Sequence, residues 1–197
     1  MDVIAQIITA SFTAMFIENI LFARALGSST ALIAVKNKQQ FVGFSISITY
    51  ICVFASFISY FIDKAFLKSE FSYLFMPVAY VLAVAVIYII TLVLLWKFLN
   101  RIFLAVKKYV HLSTFNCAVL GALFLNSRHS DTLFGYIGFG LGTGVGFIIA
   151  SYFLSIVYDR LFSEDVPESF RGYPLILIYI GILSMAFYGF LGHQLAL

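Results

Sequence analysis

Charge is what this chain has least of. Only 11% of its 197 residues are Asp, Glu, Lys or Arg, against roughly 25% in an ordinary soluble domain. That shortage excludes a solvated globular surface. Cysteine is scarce too: Cys52 and Cys117 are the only two, and both lie in apolar segments, so no disulfide framework follows. No basic stripe interleaves with exposed aromatics, which removes the usual footprint of a nucleic-acid binder. Paired catalytic carboxylates and a Ser/His/Asp set are lacking, and His111, His129 and His193 are scattered. The chain does not read as a hydrolase or as a metal centre built on histidine. The start, Met1-Asp2-Val3, has neither a basic n-region nor a small-residue cleavage site, so it reads as the beginning of a span and not as a cleaved signal peptide.

What the chain has instead is long apolar runs. Hydrophobic residues make up 62% and the mean hydropathy is +1.03. Its length accommodates about six spans of roughly 20 residues with short loops. We expect one all-α integral membrane domain over residues 1–197, in contact with the lipid bilayer. The expected spans are about Val3–Leu26, Phe41–Ile62, Phe71–Trp96, Tyr109–Asn126, Leu133–Val157 and Pro174–His193. Runs of this length without alternation read as helices, not as barrel strands. Pro77 is expected near the start of the third helix, where proline costs least. A basic amphipathic stretch, Lys97–Lys108, is expected to lead into the fourth. Lys and Arg are uneven across the loops. Arg24, Lys36, Lys38, Lys97, Arg101, Lys107, Lys108, Arg160 and Arg171 fall on one side, and Lys64, Lys68 and Arg128 on the other. The richer side is expected in the cytoplasm, with both termini outside.

Two spans are interrupted. Glu18 and Asn19 break the first, and Ser113-Thr114-Phe115-Asn116-Cys117 breaks the fourth. A bilayer tolerates such steps only where protein or a cavity covers them. Asn19 and Asn116 lie half a chain apart, each in the first span of a three-span unit. An odd number of spans per unit makes the second unit upside down relative to the first. We therefore expect two inverted three-helix repeats, about 1–98 and 99–197, with broken first and fourth helices. A carboxylate at the bilayer centre costs roughly 2.5–3.5 kcal/mol on insertion scales. Glu18 must then be neutral, paired or turned to a polar interior, as part of an ion path or of a polar clasp with Asn19. Arg24 is too far round a regular helix to pair with it, although a broken helix changes that.

Cys117 reads either as a small buried apolar residue or as a soft thiolate ligand of the iron–sulfur kind. Cys52, with no polar step around it, reads as core. Gly138, Gly142 and Gly146 share one face of the fifth span, the pattern of close helix packing. The fifth loop, with Asp165, Pro167 and Arg171, reads as a solvated turn or a docking surface for a partner.

Asn116-Cys117-Ala118-Val119-Leu120-Gly121, Asp165-Val166-Pro167 with Phe170-Arg171-Gly172, and the final span Gly181–Phe190 together resemble the Rnf/Nqr family of membrane subunits. Phe16-Ile17-Glu18-Asn19 and Leu26-Gly27 match the start of that family. Within that family it looks like the A subunits of Rnf complexes and the E subunits of sodium-pumping NADH:quinone oxidoreductases. The resemblance implies a six-helix inverted repeat in the inner membrane, paired with a sister subunit of opposite orientation and further Rnf/Nqr-type subunits. It also implies that each sister gives two cysteines to a shared [2Fe–2S] cluster. Electrons then cross the membrane in a redox-driven ion translocase, in which this subunit is non-catalytic alone. By that pattern Cys117 is the second-repeat ligand, framed by Asn116 and Gly121. The chain departs at two places. Ser29 stands where the first-repeat cysteine belongs, and Lys107–His111 replaces a Gly-x-x-x-Pro step. Serine oxygen is harder and far less acidic than a thiol, a poor substitute at iron. A small secondary transporter, or a non-redox scaffold on the same fold, are the alternative readings.

Overall fold

The computed structural model describes residues 3–36, 38–66, 71–98 and 100–191. Lys68 and the His193 end of the expected sixth span lie outside the described residues. Among those described, every regular element is helical. Helix α1 (Val3–Phe12) widens into a single π-helical turn over Thr13–Ile17, closed by Glu18 N–H donating to Thr13 O at 2.8 Å. The chain restarts as α2 (Ile20–Arg24), turns through Gly27, and continues as α3 (Ser28–Val35). Then come α4 (Lys38–Phe66), α5 (Ser72–Phe98), α6 (Asn100–Thr114), α7 (Cys117–His129), α8 (Leu133–Leu161) and α9 (Tyr173–Leu191). Three of these hold apolar stretches long enough to cross a bilayer: Phe41–Phe66, Leu74–Phe98 and Leu133–Leu161. Phe103–Thr114 and Cys117–His129 are together long and apolar enough to cross, with a bend of 51° between them, and Val3–Ile17 and Tyr173–Gly189 are shorter apolar helices. Six apolar segments result, as the sequence implied.

One expected boundary needs correcting. The basic stretch Lys97–Lys108 does not lead into the fourth span; from Asn100 onward it is helix α6, the first arm of that span. Its lysines Lys107 and Lys108 are exposed while Val110 on the same helix is buried, so an amphipathic pattern that resembles a surface segment is built into the span. Pro77 lies near the start of the third helix, as expected: α5 begins at Ser72 and carries Pro77 in its second turn, where the ring removes one backbone donor. The surrounding apolar helix tolerates this near its end.

Helix α8 is the centre. Half of its span is buried, against 28% for α5, whose Leu82, Ile89 and Val93 face outward. Glycines make the centre possible on two sides at once. A Cβ on Gly138 would sit 2.6 Å from Ile7 O; one on Gly142 would overlap Ser11 O, and one on Gly146 would lie 3.0 Å from Met15. On the other side Gly140 meets Cys52 O and Ser56, and Gly144 meets Thr49. Backbones approach this closely only where side chains are missing. Ser11 Oγ ties the first contact by donating to Gly138 O at 2.8 Å.

These contacts also fix direction. Ile7, Ser11 and Met15 meet Gly138, Gly142 and Gly146 in the same order, so α1 runs with α8. Cys52 and Ser56 meet Gly140 whereas Thr49 meets Gly144, so α4 runs against α8. Tyr50 meets Thr91 whereas Asp63 meets Tyr80, so α5 runs against α4; Tyr88 meets His111 whereas Leu95 and Phe98 share a cavity with Val106, so α6 runs against α5 and hence with α4. Helices α1 and α6, the first of each half, therefore point in opposite directions, as an inverted repeat requires.

Gly142→Val should fail to pack against Ser11 and lower stability by about 1–3 kcal/mol or more, the range for overpacking a tight interior. Gly181→Ala, where no atom lies within 4 Å of the added Cβ, should leave the melting temperature unchanged or raise it slightly. Thermal unfolding of the detergent-solubilised chain checks both.

Candidate functional site

A break in a membrane helix exposes backbone N–H groups that water cannot reach, and each must find a partner. At the first break that partner is Asn19, only 1% exposed. Its Oδ1 accepts from Leu21 N at 3.1 Å and Phe22 N at 3.2 Å, capping α2. Its Nδ2 donates to Met15 O at 2.8 Å and across to Gly146 O of α8 at 3.1 Å. Every polar direction of this side chain is satisfied, and one of them joins the two halves. Glu18 sits beside it. The break swings Arg24 back so that its Nη2 lies 3.3 Å from Glu18 Oε2. His129, at the end of α7, places Nε2 3.6 Å from Glu18 Oε1, and its ring stacks on Phe139. Glu18 is thus paired within the protein.

The second break repeats the device. Asn116 Oδ1 accepts from Ala118 N at 3.0 Å and caps α7. Its Nδ2 is buried with no hydrogen-bond partner among the described residues. Next to it Cys117 is exposed, and its Sγ accepts the backbone N–H of Gly27 at 3.1 Å. Ninety residues separate the two. Gly27 holds φ at +81°, and a Cβ there would press within 2.9 Å of both Ala118 and Phe147. Ala25 just before it also has positive φ, at 54°, so the turn is tightly wound. Gly121 gives the matching space on α7, which Leu26 fills. Ser28 Oγ lies 3.4 Å from Tyr173 Oη of α9, and Ser29 is exposed. On the other flank of Cys117 a cavity of about 220 Å³ opens between α5 and α7, lined by Val84, Phe115, Asn116 and Leu120.

The residues expected to matter are therefore brought together in part. Asn116, Cys117, Gly121 and the Leu26–Ser29 turn form one junction. Glu18 and Asn19 form a second. Cys52 does not join either: it is fully buried on α4, behind Gly140. The fifth loop is separate again and holds its own shape. Arg171 Nη2 donates to Glu164 O and Val166 O, both at 3.1 Å, while Ser163 Oγ bonds Asp165 at 2.9 Å and Pro167 O accepts from Phe170 N at 2.9 Å. Asp165 and Pro167 stay exposed on this ordered loop.

A [2Fe–2S] cluster shared between two subunits asks each for two thiolates in the pattern the resemblance implies. Cys117 fits such a ligand: it is exposed, and a backbone N–H already points at its sulfur, a common way of tuning sulfur in these centres. Ser29 does not fit. Among the described residues no three His, Cys, Asp or Glu side chains gather as a metal site. The chain alone offers one thiolate.

Two residues carry no signal of their role in the sequence. His129 is one of three scattered histidines, and only the fold brings it to Glu18. Asp63 falls just past the expected end of the second span; in the structure α4 runs on to Phe66 and Asp63 is 4% exposed. A lone carboxylate abutting an apolar run, followed by Lys64, looks like a loop residue, and the tyrosines that surround it come from other helices.

The fold and the two capped breaks define a multi-pass helical membrane protein with its irregular backbone at the contact of two inverted halves. Residues 7–193 match the family described as "Rnf-Nqr subunit, membrane protein", and the chain belongs to that family. Relatives agree over nearly full length. The A subunit of the Na(+)-translocating ferredoxin:NAD(+) oxidoreductase complex of Acetobacterium woodii is 28% identical over 183 residues, 93% of this chain and 95% of the relative. The A subunit of the ion-translocating oxidoreductase complex of Shewanella loihica is 31% identical over 179 residues, 90% of this chain and 93% of the relative. The corresponding protein of Glaesserella parasuis is 29% identical over 176 residues, 89% and 91% of the two chains.

Removing the caps should separate their roles. Asn19→Ala should destabilise by about 2–3 kcal/mol, because a cap is lost together with the two hydrogen bonds that its amide donates to Met15 O and Gly146 O. Asn116→Ala should cost about 1 kcal/mol, a cap alone. Parallel melts of the two variants check the order; equal losses would contradict it.

Proposed function

We propose that this chain is a membrane subunit of an Rnf/Nqr-type ion-translocating electron-transport complex. It sits in the cytoplasmic membrane with its basic loops inside and both termini outside, against a sister subunit of opposite orientation. The observation that carries this reading is the junction at Cys117. Loops from both inverted halves converge there, and the thiol they hold is turned outward, away from the chain's own core. A buried structural cysteine would face in, as Cys52 does.

In this reading Cys117 gives one thiolate to an intersubunit [2Fe–2S] centre. The Gly27 N–H and the buried Asn116 amide would favour the negative charge that builds on sulfur. Ser29 marks the place where this chain differs, so the sister must supply the remaining thiolates or the centre is altered. When bound, such a group supplies one-electron transfer; the chain itself contributes a fixed, water-poor setting for it. The exposed Asp165–Pro167 turn, braced by Arg171, is the surface we assign to a cytoplasmic partner.

Co-expression with the neighbouring genes and anaerobic purification test the reading. The expected outcome is a stable assembly containing a second membrane subunit, with iron and a reduced [2Fe–2S] EPR signal that Cys117→Ala abolishes. An assembly lacking iron would retain the membrane-subunit role and remove the cluster. A chain that never assembles would contradict the proposal and return attention to the transporter and scaffold readings.

A further inference from the structure

Residues 71–130 contain no Asp or Glu. Within them Lys97, Arg101, Lys107 and Lys108 crowd together where α5 ends and α6 begins. Among the described residues both ion pairs are made by Glu18, so Lys97, Lys107 and Lys108 have no carboxylate partner there. All three are exposed. Positive charge is left unanswered at one end of the bundle, in a protein whose surroundings are lipid.

The same end opens an apolar groove. It lies between α4, α5 and α6, has a volume of about 410 Å³, and is lined by Ile46, Tyr50, Thr91, Leu94, Phe98 and Val106 among others. That volume is in the usual range for a bound small molecule, roughly 300–1,000 Å³. The hydroxyls along it are already engaged. Ser47 Oγ donates to Gly43 O at 2.8 Å, Thr91 Oγ1 donates to Ile87 O at 2.7 Å, and Tyr50 Oη lies 3.3 Å from Thr91 Oγ1. The walls thus suit hydrocarbon and not a polar guest. From Thr91 to Phe98 the groove follows α5 for about 10 Å, at about 1.5 Å per residue, and ends with the helix.

Two ammoniums stand at that end. Lys97 Nζ lies 5.8 Å from the centre of the Phe98 ring, which is itself a wall of the groove. Lys107 Nζ lies 5.7 Å from the centre of the Phe103 ring, so its stem reaches back toward the start of α6. Because α6 runs against α5, that start is beside the Phe98 end. Each long stem covers an aromatic ring and leaves its charge exposed.

A hydrocarbon groove that ends beside two ammoniums without carboxylate partners fits a molecule with an apolar tail and an anionic head. We propose that the groove binds one anionic phospholipid. An acyl chain lies along α5 between Thr91 and Phe98, and the phosphate sits on Lys97 and Lys107. Basic pockets between membrane helices hold acidic headgroups in this way. The site rests on this groove and its charges and not on the reading of Cys117, so either can fail without the other.

The test is thermal unfolding of the full chain in a neutral detergent, titrated with dioleoyl phosphatidylglycerol, dioleoyl phosphatidylcholine or inorganic phosphate. Native mass spectrometry counts the lipid retained. A ligand bound only by the folded state raises the melting temperature saturably. The expected result is a saturable rise with phosphatidylglycerol, a much smaller one with phosphatidylcholine, none with phosphate, and one phosphatidylglycerol retained per chain. Lys97→Gln and Lys107→Gln, both at exposed positions, should fold with an unchanged melting temperature in detergent alone. Each should weaken phosphatidylglycerol binding roughly fivefold. Lys64→Gln, exposed at the other end of α4, should leave that binding untouched. Leu94→Trp, which fills the groove from a half-exposed position and keeps the charges, should weaken it at least as much as either lysine variant. Equal rises with the two lipids, a rise that phosphate alone reproduces, or a phosphatidylglycerol effect that the lysine variants or Leu94→Trp leave intact would overturn the proposal.

Discussion

Everything in this structure depends on how it caps backbone that is broken inside a membrane. Lipid offers no hydrogen bonds, so a helix that stops midway must have its first N–H groups met by protein. Asn19 and Asn116 do this with the same side-chain oxygen at equivalent places in the two halves. The first cap also depends on a neighbouring helix. Asn19 needs Gly146 O from α8 to satisfy its amide, and Gly146 can present that oxygen only because it lacks a side chain that would push α1 away. The glycine face of α8 and the two asparagines are therefore parts of one solution. Breaking the helices without the glycines would leave donors orphaned, and the glycines without the breaks would only pack.

The breaks then do something regular helices cannot. They turn the chain so that backbone, not side chain, reaches the contact between the halves. Gly27 N–H points at the Cys117 sulfur from a turn with positive φ, a conformation most residues adopt only with strain. The same turn brings Arg24 onto Glu18. A carboxylate that would be costly in an unbroken span is thereby paired with Arg24, and the His129 ring lies 3.6 Å away on its other side. The charged groups near the break are thus met by neighbouring side chains, while Cys117 is exposed.

Much of this is legible in the sequence, for physical reasons that can be stated. Six apolar runs, the two polar steps half a chain apart and the four-residue spacing of Gly138, Gly142 and Gly146 each reflect a constraint that acts locally, so each leaves a local mark. The start of α6 is not legible because its lysines mimic an interfacial segment, and amphipathicity does not say whether the apolar face meets lipid or protein. Asp63 and His129 stay hidden for a deeper reason. Their meaning lies in partners: Tyr80 and Tyr136 for one, Glu18 for the other. Only the packing of distant helices supplies those.

The central claim is that the outward thiol at the junction of the halves marks the face a sister protein covers. The direct measurement is maleimide labelling of Cys117 in native membranes, with the chain expressed alone and with its gene neighbours, and with the buried Cys52 as an internal reference. The account predicts that Cys117 labels readily in the chain alone and is protected in the assembly, while Cys52 stays silent in both. Equal labelling of Cys117 with and without the neighbours would contradict it.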